Sequence, residues 1–436
     1  MRNLLSFLIT MLFLHACNNS NSLPEAVAVE NVLLSQDAIT LKVGEELSLT
    51  AKVMPENATN PAVSWRSGDP AVATVSETGV VKAEAVGTAI ITVITQDGNK
   101  TATCNVTVNK EIEKSNSIIV GYVVSWKTSV PDPTYLTHIN YAFGTIDMNN
   151  FTQIVVDNPD RLKNTIVPLK TQKPTLKILL SIGGWGTDGF SQMASTETRR
   201  SGFAASCKSV IDNYGLDGID LDWEYPTSKM ADIAASPSDM SNFVLLVQEI
   251  RNAIGADKLL TIAAPSNANY YDFPSIMNYI DYINIMTYDM GYPPYHNAPL
   301  YHSSMVEWES CSESVQFFID KNVPINKLTL GIPFYGHGDP AATNNDIPSD
   351  VEYYRIASFI NSGKYNDNWD DTAKVPYLTN SAGKFVCSYD DLRSITEKCK
   401  FIRDQGMLGA MFWEYDQDDD AGTLRQAIYN GVNGAE

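Results

Sequence analysis

The spacing of apolar residues along the chain changes near position 110. Before it, short β-branched runs dominate: Val32-Leu33-Leu34, Ile39-Thr40-Leu41-Lys42-Val43, a run from 47 to 53, Val63-Ser64-Trp65 and Thr88-Ala89-Ile90-Ile91-Thr92-Val93. Gly44-Glu45, Pro55-Glu56-Asn57, Gly68-Asp69-Pro70, Gly79 and Asp97-Gly98 separate them. Such residues tolerate or pre-set the dihedrals of turns. About seven short strands in about 80 residues predict an all-β sandwich over 27–109. Residues 110–117 are charged and polar and read as a linker. From 118 onward the pattern alternates. Apolar runs at 118–124, 138–146, 177–185, 218–225, 259–266, 282–289, 328–336 and 409–416 are separated by helix-spaced stretches such as 162–171, 199–214, 240–254, 312–321 and 390–403. Alternation of this kind builds a parallel sheet covered by helices. Eight such strands in roughly 320 residues predict an α/β fold, a TIM (β/α)8 barrel over 118–436. The rival is an open doubly wound sheet, but no glycine-rich phosphate loop follows a strand. Between 336 and 409 the spacing stretches, which predicts an insertion over about 338–389.

One run stands out chemically: Asp217-Gly218-Ile219-Asp220-Leu221-Asp222-Trp223-Glu224-Tyr225-Pro226. Strand side chains alternate faces, so Asp220, Asp222 and Glu224 share one face and Ile219, Leu221 and Trp223 the other. Neighbouring carboxylates on that face are about 6.5–7 Å apart at the i to i+2 spacing of a strand. Three anions so close repel, which pushes one carboxyl upward and another downward in pKa. A raised carboxyl at the end of a strand is what a general acid needs near neutral pH. A structural carboxylate cluster or a hard-cation site is the competing reading. Calcium loops, however, use flexible backbone and glycine, not a strand of Ile, Leu and Trp. Asp217 falls off the shared face and reads as structural, at the entry of the strand.

The run resembles the Asp-x-x-Asp-x-Asp-x-Glu signature of family 18 glycoside hydrolases, and its Trp-Glu-Tyr-Pro ending resembles the chitinase branch. Other strand ends resemble the same family: Tyr141-Ala142-Phe143, Ser181-Ile182-Gly183-Gly184-Trp185, Met286-Thr287-Tyr288-Asp289 and Phe412-Trp413-Glu414-Tyr415. The 336–409 stretch looks like a reduced form of the small α+β insertion that some chitinases carry between strands seven and eight. The resemblance implies substrate-assisted hydrolysis of N-acetylglucosamine glycans with retention. It implies Glu224 as general acid and base, Asp222 orienting the acetamido N–H, Asp220 sharing a proton with Asp222, and Tyr288 donating to the acetamido oxygen. Asp289 would bind and bend the sugar, and Trp413 would form the floor under the N-acetyl methyl. Tyr141, Phe143, Gly184, Trp185, Tyr225 and Met286 are the further substrate-binding candidates at the mouth. An endo-β-N-acetylglucosaminidase acting on N-glycans belongs to the same family. Trp223 and Pro226 favour the chitinase branch over it. A non-catalytic glycan-binding lectin would have lost Asp222 or Glu224, and both are present. The segments Val63 to Trp65, Ala71-Val72-Ala73-Thr74-Val75, Gly79-Val80-Val81-Lys82-Ala83 and Gly87-Thr88-Ala89 resemble a bacterial immunoglobulin-like domain of the second group, which reads as a spacer.

Composition narrows the partners. The chain has 436 residues, with 51 acidic against 31 basic and a formal charge of −20. That argues against nucleic acid or an anionic membrane engaged through a basic face and suits a neutral sugar ligand. The six cysteines are Cys17, Cys104, Cys207, Cys311, Cys387 and Cys399. No CxxC pair or His-rich tract suggests zinc, and no metal or cofactor is expected. Cys387 and Cys399 could meet as a disulfide; buried free thiols are the plainer reading. Residues 1–17 read as a leader, with Arg2 followed by an apolar run from Leu4 to Leu14 too short to span a bilayer. Its end, Leu14-His15-Ala16-Cys17, resembles a bacterial lipobox. The resemblance implies lipid on Cys17, a tether over 18–26 and an extracytoplasmic, membrane-anchored protein. A monomer whose only membrane contact is the lipid is expected.

Overall fold

The computed structural model describes residues 26–109, 117–339, 341 and 346–434. The leader, Cys17, nearly all of the tether and nearly all of the linker lie outside the described residues. The chain divides into two compact units, 1–113 and 114–436.

The first unit is all β. Ala38–Lys42, Thr101–Asn109, Gly87–Thr95 and Val63–Ser67 form a four-stranded sheet, and Glu46–Ser48, Val80–Ala83 and Ala73–Val75 a three-stranded one. Asn31–Leu34 pairs separately with Ala51–Met54. Alternation sets the core: Ala89, Ile91 and Val93 are buried while Ile90 between them is exposed. The 47–53 run, expected as one strand, is two. It breaks at Leu49, which is buried and donates its N–H to the carbonyl of Gly79, just before the neighbouring Val80–Ala83 strand of the same three-stranded sheet. Thr101–Asn109 escaped the sequence reading because Thr and Asn alternate with its buried Cys104, Val106 and Val108.

The second unit is a closed barrel of eight parallel strands: Ile118–Val124, His138–Ile146, Lys177–Gly183, Gly218–Asp222, Leu259–Pro265, Tyr282–Met286, Leu328–Pro333 and Gly409–Trp413. The first strand pairs in parallel with both the second and the eighth, which closes the sheet and rules out the open alternative. On the fourth strand Ile219 and Leu221, with Trp223 just beyond it, face outward into the layer under the helices, where Trp223 stacks on Phe190 with ring centroids 5.2 Å apart. Asp220 and Asp222 face the barrel interior. The third strand presses close against them. At Gly183, with φ of 125°, a Cβ would lie 2.0 Å from the Asp222 carbonyl oxygen, so only glycine fits.

Helix Glu197–Tyr214 begins at Thr196, whose side chain accepts from the Arg199 N–H, and stops at Gly215 with φ of 68°. Helix Thr423–Val432 was not anticipated. Between the seventh and eighth strands lies a five-stranded sheet, in the order Asp350–Glu352, Tyr335–Gly338, Phe385–Ser388, Val375–Asn380 and Tyr365–Asp370, with helix Tyr353–Asn361. It has its own small core, including Val351, Ile356, Leu378 and Val386. Its first strand starts at Tyr335, earlier than the expected 338. All five described cysteines are buried free thiols, so Cys387 and Cys399 do not pair. No helix among the described residues is long and apolar enough to cross a membrane.

Candidate active site

The deepest carboxylate is Asp220, fully buried in the barrel. Inward positions of four strands surround it with donors. Tyr122 Oη and Ser181 Oγ each lie 2.8 Å from Oδ2. Thr261 Oγ1 at 2.5 Å and Asn284 Nδ2 at 3.3 Å reach Oδ1. A carboxylate has about four acceptor sites, and these donors occupy them. Burial raises the Asp220 carboxyl, and the four hydrogen bonds oppose that rise. Asp222, one step nearer the mouth, is also buried, but its Oδ1 has no hydrogen-bond partner among the described residues. Burial first, then repulsion from Glu224 and Asp220, holds its carboxyl well above the usual range. Glu224 ends the series, and burial together with the nearby Asp289 carboxylate pushes it up to about 7. Asp220, Asp222 and Glu224 thus follow one another along a single face, with Asp222 between the other two carboxyls. Asp217, as expected, turns away: its Oδ2 accepts from the Ile178 N–H and pairs with Lys170 at 2.5 Å.

Above the acids opens a cleft of about 960 Å³, continuous in its lining with a smaller cavity of about 290 Å³ over Asp222. Glu224, Trp185, Met286, Tyr288, Asp289 and Trp413 line both. Phe143 lines the smaller cavity and Tyr225 the larger. Trp413 stacks on Phe143 at 5.7 Å and packs against Tyr122 at 5.6 Å, giving an apolar floor. Tyr288 Oη points to Met411 Sδ at 3.9 Å. Asp289 Oδ1 accepts from Tyr335 Oη at 2.6 Å. Neither lining contains a lysine or arginine. Among the described residues no group of His, Cys, Asp and Glu is placed to hold a metal ion.

Two expected contacts move. Tyr141 is fully buried on the outward face of the second strand, and its hydroxyl donates to the Asp157 and Asn158 carbonyls at 3.1 and 3.0 Å. It is a core residue, because only the alternate positions of that strand face inward. Gly184 does not line either cavity. A Cβ there would lie 2.7 Å from the Phe143 ring, so Gly184 makes room for Phe143.

Sequence reasoning missed several lining residues. Tyr122 holds Asp220 and lines the smaller cavity. Its inward position in the first strand was readable by alternation. Tyr335 and His337 follow the seventh strand directly, and the rule that chemistry sits at carboxyl ends of barrel strands would have found them. Trp126, Tyr292, Met230, Trp308 and Glu309 come from loops and carry no periodic signal.

Both units of the chain are similar to known proteins. Residues 28–106 match the bacterial Ig-like domain (group 2). The chain is 33% identical over 394 residues to Chitinase A1 of Niallia circulans, covering 69% of this chain and 56% of that protein. It is 32% identical over 331 residues to an endochitinase of Manduca sexta, covering 65% and 58%. It thus spans less than two thirds of the length of these curated relatives. Among solved structures, a family 18 N-acetylglucosaminidase from Paenibacillus barengoltzii superposes with a TM-score of 0.65 at 34% identity, covering 72% of this chain and 99% of that one. Residues 118–418 match the family described as glycosyl hydrolases family 18, and with the acids, the barrel and the cleft in this arrangement, the chain belongs to that family.

Proposed function

We propose that the protein hydrolyses β-1,4-linked N-acetylglucosamine glycans, chitin or chitooligosaccharides, by a retaining, substrate-assisted mechanism. The observation that carries this reading is the graded acid series. One carboxyl raised to about 7 lies at the cleft, a second with an unpartnered oxygen lies just beneath it, and a third is saturated with donors. Glu224 protonates the glycosidic oxygen as the anomeric C–O bond breaks. The carbonyl oxygen of the sugar's own acetamido group attacks the anomeric carbon from the opposite face. The resulting oxazolinium ion carries a positive charge. Asp222 passes its proton to Asp220, whose hydroxyl partners Tyr122, Ser181 and Thr261 can turn to accept, and as a carboxylate it accepts the acetamido N–H and stabilises the ion. Tyr288 donates to the acetamido oxygen and Asp289 holds the sugar. Glu224, now a carboxylate, takes a proton from the water that opens the ring. Family 18 enzymes are known exceptions to the two-carboxylate pattern of glycosidases. The Trp413 and Phe143 rings supply an apolar surface for the methyl group and sugar faces. The Leu14-His15-Ala16-Cys17 run supports an extracytoplasmic, lipid-anchored location.

Product analysis tests the reading. Chitooligosaccharides should be cut to shorter N-acetylglucosamine oligomers with the β anomer formed first. Release of intact glycan from a high-mannose glycoprotein instead would favour the endo-β-N-acetylglucosaminidase reading, and binding without any product would favour a lectin. A pH dependence also follows. Glu224 must carry its proton to act as the acid, and it loses that proton as the pH rises through about 7. The profile of kcat/KM should therefore fall on its alkaline side near pH 7, with the apparent value belonging to the Asp222–Glu224 pair. A rate still rising at pH 8 would contradict the assignment.

A further inference from the structure

The insertion reaches into the site through one buried imidazole. His337 lies on the Tyr335–Gly338 strand with its side chain only 2% exposed, and both ring nitrogens face acceptors. Nε2 is 2.8 Å from Asp289 Oδ1. Nδ1 is 3.1 Å from Asp350 Oδ1 and 3.3 Å from the Ser349 carbonyl oxygen. Asp289 itself sits at φ of 57°, a region few non-glycine residues adopt. Its N–H is held by Asn297 Oδ1 at 2.7 Å. Its side chain is 55% exposed at the cleft, and Tyr335 Oη and His337 Nε2 both lie within hydrogen-bond distance of its Oδ1.

We propose that His337 is a positioning residue: it fixes the Asp289 carboxylate at the cleft and is itself fixed by Asp350, so the insertion sets the geometry of a substrate-binding group. The inference rests on the proposed function through the role given there to Asp289. A protonated ring donates through both nitrogens, and the neutral tautomer with hydrogen on Nε2 keeps the bond to Asp289. Rotation of the ring would sacrifice one or both acceptors in a buried site, which is costly. Tyr335 and Tyr292 complete the enclosure, the latter with its ring centroid 4.1 Å from that of His337. Neither can replace the link to Asp350. A carboxylate held this way contacts the sugar without first being ordered by it, which lowers the cost of binding.

Crystal structures and kinetics of His337→Ala and His337→Gln test the proposal. In His337→Ala the Asp289 carboxylate should shift by about 1 Å or more, and kcat/KM on an N-acetylglucosamine oligomer should fall about 10–100-fold, mainly through KM. His337→Gln, whose amide can donate to Asp289, should recover much of the loss. Asp350→Asn should weaken binding in the same direction but have no further effect in the His337→Ala background, since it acts through the ring. An unmoved Asp289 carboxylate in His337→Ala, wild-type kinetics for that variant, or an Asp350→Asn effect equal in both backgrounds would overturn the proposal. If the wild-type protein cleaves no N-acetylated glycan, the proposed function fails, and the crystal structures still decide whether His337 holds Asp289.

Discussion

Glu224→Gln should lower kcat/KM on an N-acetylglucosamine oligomer by about 10²–10⁴-fold, the contribution of a positioned general acid and base. The substitution keeps the size and the planar head of the side chain, so the cleft and the fold should be unchanged. What it removes is the proton that the proposed mechanism delivers to the glycosidic oxygen. Stability should not suffer, and the sign can be worked out. Burial raises the carboxyl from 4.5 to about 7, so the folded state resists its ionisation. That resistance costs stability progressively as the pH rises above the unfolded value, and is fully felt above about 7. Glutamine never ionises, so the variant should melt at the wild-type temperature or higher at pH 8. Substrate should still bind, because the aromatic floor and Asp289 remain. Oligomer binding by calorimetry together with initial rates separates the two effects. Wild-type rates in the variant would end the assignment of Glu224.

The fold was legible in the sequence wherever a residue's environment repeats along the chain. The eight barrel strands are apolar on both faces because helices cover one side and the interior fills the other, so each reads as a continuous run. The acid face of the fourth strand was legible for the same reason: a period of two carries Asp220, Asp222 and Glu224 together. Tyr141 shows the limit of such reading. It stands beside residues that do reach the mouth, but it lies on the outward register of its strand, and adjacency in sequence does not reveal register. Asp350 shows a different limit. His337 follows the seventh strand and was within reach of the carboxyl-end rule, whereas Asp350 lies on the antiparallel partner strand within the insertion, and nothing local signals that its carboxylate meets the His337 ring. Glu309 and Trp308 reach the cleft from a long loop after the sixth strand, where position depends on tertiary packing alone.

A substrate lacking the N-acetyl group at the cleaved sugar should be hydrolysed at least about 10³-fold more slowly than its acetylated twin. The reason is that the proposed mechanism supplies no other nucleophile at the anomeric carbon. Asp220 is buried beneath the cleft with its oxygens committed to Tyr122, Ser181, Thr261 and Asn284, and the proposed role of Asp222 is to accept the acetamido N–H. An internal nucleophile held in line supplies about 7–11 kcal/mol through effective molarity, more than enough for the expected difference, since each 1.36 kcal/mol is tenfold in rate. Asp222→Asn probes the same step from the protein side. The variant keeps a hydrogen-bond acceptor for the acetamido N–H but loses the negative charge that faces the oxazolinium ion. Its kcat should fall about 10²–10³-fold, the usual loss when one preorganised electrostatic group is removed. Because the missing charge matters only after the acetamido oxygen has attacked, KM should change far less than kcat. The two arms are linked. On the deacetylated substrate, where no oxazolinium ion can form, Asp222→Asn should produce little further loss. Equal sensitivity to Asp222→Asn on both substrates would mean that the carboxylate serves the enzyme in some way unconnected with the acetamido group.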